Sequence, residues 1–106
     1  MKAELLTEDA IERGLALLPA TWQVEGLELV KEFRFPSYMA GIEFVQRIAA
    51  LAEAMNHHPD LLIGWRKVSV RLCTHSAGGL TALDFAMAAQ VSQTASDQSS
   101  QQGQDD

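Results

Sequence analysis

The chain holds one cysteine, three prolines, one tyrosine and three histidines in 106 residues. A lone Cys73 cannot close an internal disulfide, so nothing points to an oxidising compartment. No apolar run approaches the roughly 20 residues that a bilayer-spanning helix needs. The opening MKAELLTED has one lysine and then acids, without the apolar stretch of a secretory signal. These scarcities lead to the expectation of a cytoplasmic protein. Basic charge is short as well: 8 Lys and Arg stand against 14 Asp and Glu, for a net charge of -6. All 8 bases precede residue 93, while Asp97, Asp105 and Asp106 follow it. Neither part offers the basic face that binding to a phosphate backbone requires, which argues against direct nucleic-acid contact.

What remains fits one domain with one modest core, the hydrophobic share being 47%. Residues 7–18 read as a helix, with Thr7 as N-cap, Glu8 and Asp9 at the positive end of the dipole, and Pro19 as a stop. Ile11, Leu15 and Leu18 share one of its faces. Trp22 to Phe35 reads as a hairpin turning at Glu25-Gly26. Ser37 can cap a second helix over Tyr38–Asn56. Its stripe Phe44, Ile48, Leu51, Met55 is flanked by a second stripe, Ile42, Val45, Ala49, Ala52. So wide an apolar face suits a central core helix or one that also meets another subunit. Pro59 ends this helix. Leu61–Trp65 and Lys67–Thr74 then read as two strands, with Val68, Val70 and Leu72 on one side of the second. Gly78-Gly79 turns into a third helix, with Thr81 as N-cap and Asp84 as the acid of a capping box. Leu83, Met87 and Val91 continue one face of it.

The fold class expected is therefore α+β. A four-stranded antiparallel sheet carries three helices on one face, in the order helix, hairpin, helix, hairpin, helix. Two similar αββ halves are visible, with no sequence repeat between them. The domain spans residues 1–92. Residues 93–106 hold no large apolar side chain and are expected to form a disordered tail.

All three histidines fall within the stretch Glu53–Asp84: His57, His58 and His75. Glu53 and His57 are four apart and can share a helix face. In an antiparallel meander the helix exit, the end of the last strand and the first turn of the last helix can meet at one rim. Imidazoles gathered there suit acid–base work, because a histidine holds or gives a proton near neutrality and a carboxylate fixes its tautomer. Trp22 and Trp65 could wall a flat ligand, although each is individually more at home in a core. Other readings stay open. Three histidines and two acids could hold zinc or iron, but adjacent histidines rarely aim at one ion and the His-Glu-x-x-His spacing is absent. Ser76 is too close to His75 for a normal triad, and Cys73 has no evident activating partner. His57 and His58 could also serve merely as helix-end residues, His75 as a loop residue and Asp84 as a cap. Gly78-Gly79 could cradle an anion, but a turn explains the pair more simply.

The spacing Glu53, His57-His58-Pro59, Trp65, His75, Asp84, with the segment THSAGGLTALDFAMA, resembles the pterin-4a-carbinolamine dehydratase family over roughly residues 3–92. Every motif position is filled, and only the polar tail lacks a counterpart. The resemblance implies a cytoplasmic lyase that dehydrates 4a-hydroxytetrahydropterin to quinonoid dihydropterin and water. Such an enzyme recycles the pterin of aromatic amino acid hydroxylases, such as phenylalanine hydroxylase, and needs neither metal nor cofactor. By the family pattern, His57 and His75 are the general acid and base, and His58 holds the pterin or shares the proton transfer. Glu53 and Asp84 orient imidazoles or bind the ring's polar edge, and Trp22 lines the pocket. Members are usually homotetramers with helices at the subunit centre. An animal member also serves as dimerisation partner of a homeodomain transcription factor, so a non-catalytic dimerisation or binding module is the alternative reading.

Overall fold

The computed structural model describes residues 4–19 and 21–103. Helix α1 (Glu8–Leu17) begins as the sequence reading expects: the Thr7 hydroxyl accepts the Ala10 N–H at 3.1 Å, and Glu8 and Asp9 occupy the first turn. Ile11, Leu15 and Leu18 pack from it against the core. Gly14 allows this close approach, since a Cβ there would stand 2.7 Å from a ring carbon of Phe85.

Strands β1 (Gln23–Glu25) and β2 (Glu28–Arg34) form the first hairpin, and Gly26 takes the positive φ of +60° that its turn requires. Helix α2 (Tyr38–Met55) starts under a Ser37 cap, whose hydroxyl accepts the Ala40 N–H at 3.1 Å. Strands β3 (Asp60–Gly64) and β4 (Lys67–Leu72) make the second hairpin, and helix α3 (Ala82–Gly103) closes the fold. The sheet order is β1-β2-β4-β3, antiparallel at every pairing.

Register decides which side chains face the helices. Leu29 pairs with Leu72 and Phe33 with Val68, so these residues and Val70 present one buried face. Phe44, Ile48 and Ala52 of α2, and Met87, Ala88 and Val91 of α3, cover it. The α+β arrangement with three helices on one sheet face thus stands as expected. Each fully buried aliphatic side chain here contributes about 1.5–3 kcal/mol.

Beside end shifts of one or two residues, such as β4 stopping at Leu72 rather than Thr74, two departures from the sequence reading stand out. The tail expected to be disordered after Ser92 is helical through Gly103. Composition undervalues this segment because it docks through a few placed groups rather than broad apolar area. Ala95 packs on the core, and the Ser92 hydroxyl accepts the Trp22 indole N–H at 2.7 Å. Gln98, only 1% exposed, donates from Nε2 to the Ala40 carbonyl at 2.8 Å. The rest of the expected tail, residues 104–106, lies outside the described residues. The other difference is Trp65, expected as the end of β3. It falls in the β3–β4 turn, where Arg66 adopts a left-handed φ of 61°.

Candidate active site

The end of α2 places His57. Asn56 takes the left-handed conformation (φ 51°, ψ 43°), and its N–H bonds to the Glu53 carbonyl at 3.3 Å. The His57 N–H reaches back to the Ala52 carbonyl at 3.0 Å. These two bonds form a Schellman termination, which turns the chain sharply and points His57 back under the helix end. Pro59 prevents the helix from resuming.

His57 is consequently buried, and its Nε2 lies 2.6 Å from Asp84 Oδ1. Asp84 is 0% exposed, in the first turn of α3, where the helix dipole favours negative charge. Its other oxygen, Oδ2, accepts the Thr81 backbone N–H at 2.9 Å and the Thr74 hydroxyl at 2.8 Å. A carboxylate can only accept, so the His57 nitrogen facing it carries a proton. That assignment leaves Nδ1 of a neutral His57 with a free lone pair. Among the described residues Nδ1 has no hydrogen-bond partner, and it is not sealed from solvent.

His75 follows Thr74 directly, at the start of the loop between β4 and α3. The Thr74 N–H bonds to the Gly79 carbonyl at 2.9 Å, and the Thr74 carbonyl accepts the N–H groups of Ala77 and Gly78, each at 3.0 Å. Gly78 sits at φ +81°, a conformation that glycine adopts without strain. The His75 side chain is exposed. The structure therefore brings together the helix exit bearing His57, the carboxylate of Asp84 and the loop bearing His75.

His58 points elsewhere. Its Nε2 pairs with Glu53 Oε2 at 2.5 Å, with both side chains largely exposed. The pair rims an open cleft of about 550 Å³ between α2 and β3, with Ile48, Ala52 and Leu61 among its apolar lining. The carboxylates thus divide between the histidines: Asp84 holds His57, and Glu53 holds His58.

Neither tryptophan stands with this group. Trp22 is 6% exposed, packs edge-on to Phe33 at 6.0 Å and donates to Ser92, so its rings offer little face to a ligand. Trp65 is 73% exposed beside Arg66, at the far end of β3 from Pro59. At the usual strand rise, Asp60–Gly64 alone separates the two ends by roughly 13 Å. Nothing here activates the Cys73 thiol: burial, then the charge of Asp84, then those of Glu28 and Asp60, push it above the usual range. Among the described residues no three His, Cys, Asp or Glu side chains lie close enough to share a metal ion. No helix among them is long and apolar enough to cross a membrane.

The sequence model of the family described as pterin 4 alpha carbinolamine dehydratase matches residues 4–94. The chain belongs to this family. A protein of Natronomonas pharaonis, provisionally named as a pterin-4-alpha-carbinolamine dehydratase, is 46% identical over 81% of this chain and 90% of its own length. One of Roseiflexus castenholzii, named in the same provisional way, is 49% identical over 84% of this chain and 95% of its own length. The solved structure of a transcriptional coactivator/pterin dehydratase from Brucella melitensis superposes with a TM-score of 0.80 at 34% identity, covering 85% of this chain and 97% of that one. A pterin dehydratase-like protein identified as a RuBisCO assembly factor in the alpha-carboxysome superposes with a TM-score of 0.61 at 31% identity, over 71% of this chain and 89% of that one.

Within this candidate site, sequence reasoning missed Thr74 and gave Thr81 only a capping role. Thr74 and Thr81 are both buried, their hydroxyl oxygens 2.7 Å apart. A signal was available. Val68, Val70 and Leu72 alternate inward along β4, so continuing the alternation turns Thr74 inward too, where a buried hydroxyl needs a partner.

Proposed function

We propose that this chain dehydrates a 4a-hydroxytetrahydropterin to the quinonoid dihydropterin and water by histidine acid–base catalysis. The observation that carries the reading is the buried Asp84–His57 pair with Nδ1 left open. Family membership supports the substrate class. The elimination delivers one proton to the C4a hydroxyl as its C–O bond breaks. It also removes one proton from the adjacent ring nitrogen, whose N–H electron pair becomes the new C=N bond. His57 and His75 divide these transfers. His57, held with its lone pair outward, suits the proton removal, and the exposed His75 suits delivery to the leaving hydroxyl. His58, steadied by Glu53, holds the pterin or shares a transfer. Positioned acid–base groups of this kind typically contribute about 10²–10⁴-fold in rate.

In this reading the protein is a cytoplasmic enzyme that regenerates the spent pterin of an aromatic amino acid hydroxylase such as phenylalanine hydroxylase. It works as a homo-oligomer, dimer or tetramer, in which the apolar side of α2 meets other subunits. The exposed Met39 (69%) and Tyr38 (48%) at the start of α2 support such an interface. The test is a coupled assay in which phenylalanine hydroxylase generates the 4a-hydroxypterin and absorbance follows its decay. Faster decay with this protein is the expected result.

A binding module is the second reading. Two relatives are described as a coactivator and as an assembly factor. Edge strand β3 also exposes Leu62 (60%) and Ile63 (47%) along an edge that no other described strand pairs, a surface suited to a protein partner. Unchanged decay with folded protein would favour it.

A further inference from the structure

The hydrogen bonds around Asp84 run in one direction. The Leu83 N–H donates to Thr81 Oγ1 at 3.3 Å, and Thr74 Oγ1 donates to Asp84 Oδ2 at 2.8 Å. Between them the two hydroxyl oxygens are 2.7 Å apart. Thr74 has one hydroxyl proton, and Asp84 takes it. The proton between the hydroxyls therefore comes from Thr81. The Thr81 backbone N–H fills a further lone pair of Oδ2, which leaves Oδ1 turned to His57. Thr74 also closes the loop that carries His75, through its N–H to the Gly79 carbonyl and its carbonyl to the Ala77 and Gly78 N–H groups. One residue thus grips the carboxylate behind His57 with its side chain and the base of the His75 loop with its backbone.

We infer that Thr74 is a positioning residue that sets the rotation of the Asp84 carboxylate, and through it the aim of the Nε2–H bond of His57, relative to the His75 loop. It touches no substrate. Its effect passes through Asp84, in a place where every polar group is enclosed. Asp84 and Thr81 are 0% exposed and Thr74 is 5% exposed, so water cannot replace a lost hydroxyl without opening the packing. The inference rests on the dehydratase reading only for its kinetic consequence, because the ¹⁵N shifts of His57 can be observed without any substrate.

The experiment compares wild type, Thr74→Val and Thr74→Ser. Valine keeps the shape and removes the hydroxyl, whereas serine keeps the hydroxyl. Imidazole ¹⁵N chemical shifts report the tautomer and the Nε2–H bond, and the hydroxypterin assay reports kcat and KM. Wild type and Thr74→Ser should show His57 protonated on Nε2 at neutral pH. Thr74→Val should keep that proton, since the carboxylate still only accepts, but show a shifted Nε2 ¹⁵N resonance from the re-aimed bond and a kcat about ten- to a hundredfold lower, as expected for a misaimed catalytic group. Its KM should stay within about threefold. Should Thr74→Val fail to fold, Thr81→Val, which removes the donor to Thr74 together with the acceptor of the Leu83 N–H, should move the Nε2 ¹⁵N shift and kcat the same way by less. A wild-type His57 protonated on Nδ1 would overturn the inference, as would a Thr74→Val protein with wild-type ¹⁵N shifts and kcat. Equal losses in Thr74→Ser and Thr74→Val would also overturn it, because the hydroxyl would then not be the cause. If wild type has no turnover, the dehydratase reading fails, and the ¹⁵N comparison still decides the role of Thr74.

Discussion

Replacing Asp84 by Asn changes one oxygen to an amide nitrogen at nearly constant shape, and the surrounding bonds dictate how the amide must sit. The Oδ2 position receives the Thr81 N–H at 2.9 Å and the Thr74 hydroxyl at 2.8 Å. Placing the amide NH₂ there would set a donor against the Thr81 N–H in a fully buried place. A buried unsatisfied donor costs about 1–3 kcal/mol, which disfavours that orientation by roughly 5- to 150-fold. The amide oxygen therefore takes the Thr81 side, and the NH₂ faces His57 Nε2. That nitrogen must then accept, so the imidazole proton moves to Nδ1, the nitrogen left open to the site. His57 would present a donor where a base is needed. We expect kcat to fall about 10²-fold, toward the lower end of the usual acid–base contribution, because His58 and His75 remain. Stability should fall by about 1–2 kcal/mol as charge-assisted bonds become neutral ones. Hydroxypterin decay gives the rate, thermal melting gives the stability, and ¹⁵N shifts give the tautomer. An Asp84→Asn protein that turns over like wild type, or that keeps its proton on Nε2, would refute this reasoning.

Further outcomes follow from the same structure. Asn56→Ala should cost about 1–2 kcal/mol, because alanine resists the left-handed φ of 51° at the end of α2, while Asn56→Gly should cost little; equal melting temperatures for the two would contradict the termination described. Deleting residues 93–106 should lower stability by about 1–3 kcal/mol through loss of Ala95 packing and the Gln98–Ala40 bond; an unchanged melting temperature would show that this part of α3 docks only loosely. Cys73 should react with iodoacetamide only at a pH above that of an ordinary thiol, since burial and the nearby acids hold its proton on. The denatured protein should react at the ordinary pH, and rapid labelling of folded protein at neutral pH would count against the environment given for Cys73.

Much of the fold was legible because local signals agreed with one another. Thr7 and Ser37 cap their helices as the pattern implied, Gly26 makes the first turn, and Val68, Val70 and Leu72 fill the core from alternate positions. The capping-box spacing marks Asp84, which does accept the Thr81 N–H. That it also holds His57 could be guessed from sequence only as a meeting of chain ends, because it depends on a contact across 27 positions. The far part of α3 was hidden for a related reason. Gln98 docks through a bond to Ala40, 58 residues away, which no reading of composition can anticipate. The two tryptophans show the limits of residue type: one is enclosed against Phe33, the other exposed on a turn, and chemistry alone did not distinguish them.

The central claim is that His57, aimed by Asp84, moves a proton of the pterin. The most direct measurement is the decay of enzymatically generated 4a-hydroxypterin with wild type and with His57→Ala, both confirmed as folded by circular dichroism. The account expects wild type to speed the decay and His57→Ala to lose about 10²-fold or more of that acceleration. A His57→Ala protein that matches wild-type turnover would contradict it.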